Sequence, residues 1–265
     1  MSNNDGVVGR RSGRLSWGTA ALAVALVTLT AAKCEQAGDS TTHREDQDQS
    51  YTQPIDVIQL DLGNGDIRIA SGEDGKISVE RKLRWDTNKP KVKERWQGRT
   101  LKISNGCAKA SRNCSVDYRI KVPAGVRVVA KTGAGDIAVT GVHGAQDLHS
   151  SSGDLRVDDA EGSVKMETDN GSITGTDLAA DQVKAQTSAG DVNLVITSVP
   201  KSVTASSSAG DVDLRVPRAG AGSAGYNVQA STGAGSKDVG IESSPAGTHK
   251  IVVKTTKGDI NVRYL

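Results

Sequence analysis

From Val126 to Val216 the chain alternates apolar and polar residues in short bursts, and each burst is broken by a small polar turn built on glycine. The turns read Thr132-Gly-Ala-Gly-Asp-Ile-Ala-Val139, Ser151-Ser-Gly-Asp-Leu-Arg-Val157, Asp169-Asn-Gly-Ser-Ile173, Ser188-Ala-Gly-Asp-Val-Asn-Leu194 and Ser208-Ala-Gly-Asp-Val-Asp-Leu214. Their reference positions, Asp136, Asp154, Ser172, Asp191 and Asp211, are 18, 18, 19 and 20 residues apart. Alternation with period 2 marks half-buried strands. A fixed period near 20 residues marks units that bury their apolar faces only by stacking on one another. The predicted coils cover 126–144, 145–162, 163–181, 182–201 and 202 onward, each a strand, a glycine turn and a second strand.

The same pattern extends outward. Ile55 to Leu62 alternates and leads into Gly63-Asn-Gly-Asp-Ile-Arg-Ile69, which contributes Asp66 as an earlier turn residue. Gly258-Asp259-Ile-Asn-Val262 is expected to close the array, and in each turn the Asp is expected to bond back to its own backbone. Strands are also predicted over 76–85, 92–96, 100–103, 116–122, 226–230 and 250–254. No stretch past the leader carries the 3.6 period of an amphipathic helix. The predicted fold is all-β: a single-domain β-solenoid, a β-helix-like stack of roughly 18–20-residue coils with an N-terminal strand elaboration.

Composition agrees with a narrow core. Among 265 residues there is no Phe, with only 3 Trp and 4 Tyr, and a slim lumen fills with Val, Ile, Leu and Ala rather than large rings. Before the array stand Arg10, Arg11 and Arg14, then an apolar run from Leu15 to Ala32, the pattern of an export signal. Cys34 sits where a lipoprotein carries its lipidated cysteine, although Lys33 precedes it; cleavage after Ala32 and an uncleaved anchor are the alternatives. Residues 35–54 are almost devoid of apolar side chains and are expected to be a disordered tether. The division is thus an export segment over 1–34, the tether over 35–54 and the strand-repeat domain over 55–265, outside the cytoplasm and either anchored or secreted.

The overall charge of +2 conceals segregation. Residues 76–131 hold 16 basic against 4 acidic side chains, whereas the array over 132–247 holds 7 against 15. Within the basic block Arg81, Lys82, Arg84, Lys91, Lys93, Arg95 and Arg99 flank Trp85 and Trp96. Cations beside indoles suit an anionic partner such as a cell-wall polymer or a membrane surface, with nucleic acid not expected. The structural reading of the same residues is a charged end that stops the stack from pairing with another chain. Cys107 and Cys114, in a short loop of an exported chain, read as a disulfide.

The serial Gly-Asp-Ile/Val/Leu motifs, together with Cys107, Cys114 and the run Ser115-Val-Asp-Tyr-Arg-Ile-Lys-Val-Pro-Ala-Gly125, resemble the bacterial putative-adhesin β-strand-repeat family, in its exported, high-GC Gram-positive form. The resemblance spans Ile55 to Leu265 and implies a β-solenoid, export and a surface or adhesive role. It supplies no catalytic residues.

Other candidate chemistry is thin. Gly220-Ala-Gly-Ser-Ala-Gly225 spells a dinucleotide fingerprint but precedes a strand-like segment, where that site needs a helix. Asp66, Asp136, Asp154, Asp191, Asp211 and Asp259 recur once per coil; calcium-binding repeats use a different order and two turns per 18 residues, so these are read as turn residues. His143, Asp147 and His149 are read as solvated, and the serine runs at 150–152 and 206–208 as small turn residues. No catalytic residue, metal or cofactor is expected. The functional expectation is a non-enzymatic envelope protein that binds a polymer, a lipid surface or a partner. The alternatives are an accessory of an envelope-stress system, whose partner is an envelope protein, and a glycan-active β-helix enzyme.

Overall fold

The computed structural model describes residues 42–108, 113–220 and 225–265, and the export segment with Cys34 lies outside these. The strands are β1 (His43–Tyr51), β2 (Val57–Asn64), β3 (Ile67–Ser71), β4 (Ile77–Trp85), β5 (Lys91–Gln97), β6 (Thr100–Gly106) and β7 (Ser115–Val122). The array follows with β8 (Arg127–Ala134), β9 (Ile137–Thr140), β10 (Gln146–Ser152), β11 (Leu155–Ala160), β12 (Val164–Asn170), β13 (Ile173–Leu178), β14 (Gln182–Ala189), β15 (Val192–Ile196), β16 (Ser202–Ala209) and β17 (Val212–Val216). The chain ends with β18 (Tyr226–Ala234), β19 (Lys237–Val239), β20 (His249–Lys257) and β21 (Ile260–Tyr264).

These form two sheets, with no helix among the described residues. Sheet A runs β1-β4-β7-β3-β9-β11-β13-β15-β17-β21-β19, and sheet B runs β18-β20-β16-β14-β12-β10-β8-β2-β6-β5. Each coil gives one strand to each sheet, and coil-to-coil pairing is parallel and in register save for a shift between Gly175 and Leu178 where β13 meets β15. The core is therefore a set of columns. Val128, Gln146, Val164, Val183, Val203 and Ile251 stack in one, and Ile137, Leu155, Ile173, Val192, Val212 and Ile260 in another. These side chains are buried, and each fully buried Val, Leu or Ile stabilises by about 1.5–3 kcal/mol.

The turns carry three further ladders. Gly190 has φ 138°, and a Cβ there would stand 2.2 Å from the carbonyl oxygen of Gly171, one coil below. The following Asp does not bond to its own turn. Its Oδ1 accepts the amide N–H of the next coil: Asp154 N–H to Asp136 at 2.8 Å, Asp211 N–H to Asp191 at 2.8 Å and Asp259 N–H to Asp211 at 2.7 Å. On the inner face Thr132, Ser150, Thr168, Thr187, Ser207 and Thr255 are buried, and each hydroxyl donates to a glycine carbonyl one coil away, as from Thr187 to Gly171 at 2.9 Å. Ser150 and Ser207 are accordingly inward-facing strand residues rather than turn spacers.

The structure corrects the sequence expectation at both ends. The tether predicted over 35–54 is cut short, because 43–51 pairs antiparallel along the whole of β4 as strand β1. No β1 residue is fully buried, so hydrophobic patterning gave no sign of it; the strand forms by backbone pairing at the edge of sheet A. At the other end, β20 and β21 do not close the array. They lie between β16/β17 and β18/β19, and the coil that precedes them in sequence is outermost. Burial explains the order. Ile251, Val253, Ile260 and Val262 are buried to within 1%, whereas the outer coil buries Tyr226 and Ile241 at its edges and leaves Val228, Ala230 and Val239 partly exposed.

Candidate functional site

The basic block folds into the N-terminal end of the stack, and period 2 divides it among three environments. Along β4, Ile77, Val79, Arg81 and Leu83 point inward, while Glu80, Lys82 and Arg84 point out from sheet A. Along β5, Val92, Glu94 and Trp96 point inward, while Lys91, Lys93 and Arg95 point out from sheet B. Since β4 and β5 belong to different sheets, the predicted patch is not one surface.

Arg81 is withdrawn from any surface role. Its guanidinium pairs with the Glu94 carboxylate, and the two side chains are only 9% and 12% exposed. The Tyr51 hydroxyl donates to the same carboxylate. Burial first, then the neighbouring carboxylate, holds the Tyr51 phenol well above its ordinary range. Burial likewise raises Tyr118 beside them. The two indoles differ in their neighbours, and Trp85 has a cation beside its ring. Trp96 meets Tyr51 edge-on at 5.7 Å, and Trp85 stacks on His43 at 5.4 Å with Lys89 Nζ 5.7 Å from its ring centre.

On sheet A the outward cations are mixed with carboxylates. Arg84 pairs with Asp117 at 2.6 Å and Arg68 with Asp66 at 3.3 Å. Lys82 stands in register between Asp46 and Asp117, in a groove shared with Glu80 and Arg119. Arg99, in the turn between β5 and β6, pairs with Asp56 at 2.7 Å.

Sheet B differs. Lys91, Lys93 and Arg95 of β5, Lys102 of β6 and Lys131 of β8 share its outer face, and none has a carboxylate partner among the described residues. Arg95 lies opposite Lys102, and Asp61, opposite Lys131, is the one carboxylate close by in register. Lys102 and Lys131 were legible as basic but gained their place only from the pairing of β6 and β8 on either side of β2. Farther along the face charge is paired again: Lys165 bridges Asp147 at 3.3 Å and Glu167 at 3.0 Å, and Lys184 reaches Glu167 at 2.7 Å.

Cys107 and Cys114 stand in disulfide geometry with Cα atoms 5.9 Å apart. The Asp residues of the turns are spent on amides, and among the described residues no group of three or more His, Cys, Asp or Glu is arranged to hold a metal ion. His143 lies between Asp159 and Glu161, 3.7 Å from each, while His149 faces outward on β10. A strand, β18, follows Gly225 where a dinucleotide site requires a helix.

The Toastrack family model, DUF4097, matches residues 115–263. The chain belongs to the Toastrack family. The match begins at β7, so β5 and β6 of the Toastrack protein, which carry Lys91, Lys93, Arg95 and Lys102, precede it, while Lys131 of β8 lies within it. Solved structures that match the chain include a putative adhesin from Bacteroides fragilis NCTC 9343, 18% identical with a TM-score of 0.49 over 83% of this chain and 97% of that one. A putative lipid binding protein from Parabacteroides distasonis ATCC 8503 is 14% identical, with a TM-score of 0.42 over 86% and 98%. A putative cell adhesion protein from Clostridium sporogenes ATCC 15579 is 12% identical, with a TM-score of 0.35 over 84% and 100%. No curated protein matches the chain.

Proposed function

We propose that this Toastrack protein is a non-enzymatic, exported surface protein that adheres to anionic polymers of the cell envelope through the outer face of sheet B at the N-terminal end of its stack. The observation that carries the reading is the contrast between the two faces: the cations of sheet A share their groove with Asp66, Glu80 and Asp117, whereas Lys91, Lys93, Arg95, Lys102 and Lys131 on sheet B have only Asp61 near them in register and no ion pair among the described residues. A cluster of unneutralised cations on a flat face attracts a polyanion by counterion release and long-range steering. The reading is non-enzymatic because the ionisable groups gathered at this end, Arg81, Glu94 and Tyr51, are buried against one another and offer nothing to a substrate.

The face favours a polymer over insertion into a bilayer, since Leu265 is the one large hydrophobic side chain exposed among the described residues. Among those residues no helix is long and apolar enough to cross a membrane. Anchoring belongs to the same proposal. A lipid on Cys34 would stand nine residues before His43 and so hold this end of the stack within about 30 Å of the membrane.

The test is equilibrium binding to acidic envelope polymer at low ionic strength. Lys93→Ala/Arg95→Ala/Lys102→Ala is expected to weaken binding by about tenfold or more, and Arg84→Ala on sheet A to leave it unchanged. A wild-type chain that ignores the polymer, or a triple variant that binds like wild type, would overturn the proposal.

A further inference from the structure

Three grooves lie around the N-terminal end, and their linings differ in one respect. The groove on sheet A contains Asp66, Glu80 and Asp117. A second, on sheet B, runs past Gln59, Asp61, Lys93, Arg95 and Lys102. The third has a volume of about 470 Å³ and is lined by Asn88, Lys89, Lys91, Lys93, Ser104 and Asn105, with Gly106, Cys107 and Ala108 closing it. Among the described residues its lining holds no carboxylate.

We infer that this third groove binds the phosphate groups of a linear phosphodiester polymer, an inference that rests on the proposed polyanion adhesion and assigns its ligand. The lining combines cations with neutral hydrogen-bonding groups. Lys89 is already committed to Glu45, at 2.6 Å, which leaves the ammonium groups of Lys91 and Lys93 for a ligand. The Asn88 amide and the Ser104 hydroxyl add neutral donors. The far wall is fixed: Asn105 Oδ1 accepts the Gly63 amide N–H at 2.8 Å, and its Nδ2 donates to the Asn64 carbonyl at 3.4 Å. Lysines supply point charges with three rotatable donors each, which suit a tetrahedral oxyanion.

The continuity of the site points to a polymer rather than a small phosphate. The third groove shares Lys93 and Ser104 with the second, so the two form one track. Lys91, Lys93 and Arg95 follow one another on one face of β5, about 6.6 Å apart, a line of cations suited to a chain that repeats its charge. A nucleotide would want a ring to stack on, and both indoles at this end are engaged with His43 and Tyr51.

The experiment measures binding of the full chain to inorganic polyphosphate, to poly-L-glutamate and to phosphatidylcholine vesicles containing phosphatidylglycerol, each over a salt series. The expected result is tighter binding of polyphosphate than of polyglutamate at equal charge. Lys91→Ala/Lys93→Ala should lower the slope of log affinity against log salt for polyphosphate by about 1.4, at about 0.7 per lost contact with a flexible polyanion. Equal affinity for the two polymers, with loss only in Arg95→Ala/Lys102→Ala, would overturn the phosphate groove and leave the cationic face standing. Binding to the vesicles alone would assign the phosphate to lipid headgroups and overturn the polymer. Failure of the wild-type chain to bind any of the three would remove the groove and the adhesion proposal together.

Discussion

Gly190 and Thr187 meet at one atom, the carbonyl oxygen of Gly171 in the coil below. The hydroxyl of Thr187 donates to it at 2.9 Å, and no backbone amide among the described residues reaches it. A methyl group on Gly190 would strike it. Gly190→Ala is therefore expected to destabilise the stack by about 1–3 kcal/mol, and Thr187→Val by about 1 kcal/mol, with Thr187→Ser close to wild type. Urea unfolding midpoints read all three. Arg81 makes the contrasting case. Arg81→Met strands the buried Glu94 charge and should cost about 3–5 kcal/mol, whereas Arg81→Met/Glu94→Leu removes both charges and should recover most of that loss. A severe effect of the double variant on polymer binding, with stability restored, would contradict the interior role given to Arg81. The parity that hides it was in the sequence, since Arg81 alternates in step with Ile77, Val79 and Leu83. So was the parity that turns Trp96 inward beside Val92 and Glu94. Neither is visible when the basic block is read as a composition.

At the scale of elements, legibility follows how much apolar surface an element brings. The coils from β8 to β17 announce themselves, because every one repeats glycine, a polar turn residue and inward aliphatics at fixed spacing. Strand β1 brings only the partly buried Tyr51, and the inserted coil β20/β21 is decided by a competition between two similar coils for the place against β16/β17, which local patterning does not rank. Both elements make checkable claims. The amides of β1 should exchange with solvent well before those of β10 to β16, because β1 is held by edge pairing, by the Glu45–Lys89 ion pair and by Tyr51 on Glu94 rather than by buried apolar groups. The outer coil should loosen in acid. The Asp259 carboxyl is held below its ordinary range by the Ser236 backbone N–H, which it accepts at 2.7 Å, and by the Ser236 side chain. Its contribution is present above the ordinary carboxylate range and is lost as pH falls through the lowered value. The protection factor at Ser236, with exchange corrected for its intrinsic pH dependence, should fall in acid, and Asp259→Asn should flatten that fall.

For the molecule as a whole, the chain's charge segregation becomes an end and a body. The body pairs its charges across neighbouring coils, as in Asp147, Lys165, Glu167 and Lys184. The N-terminal end mixes them with carboxylates on sheet A and leaves them open on sheet B. The same cations guard the exposed edge of β5 against another strand, so edge protection and adhesion are compatible uses of Lys91, Lys93 and Arg95. At the opposite end Lys237 Nζ donates to the Ala230 carbonyl at 3.4 Å and occupies part of the β18 edge. The most direct measurement of the account is amide hydrogen exchange of the full chain with and without a saturating acidic polymer at low ionic strength. The account predicts added protection in β5, β6 and β2, with β4, β7 and β3 unchanged. Protection on the sheet A strands instead, or none anywhere while the polymer is bound, would contradict it.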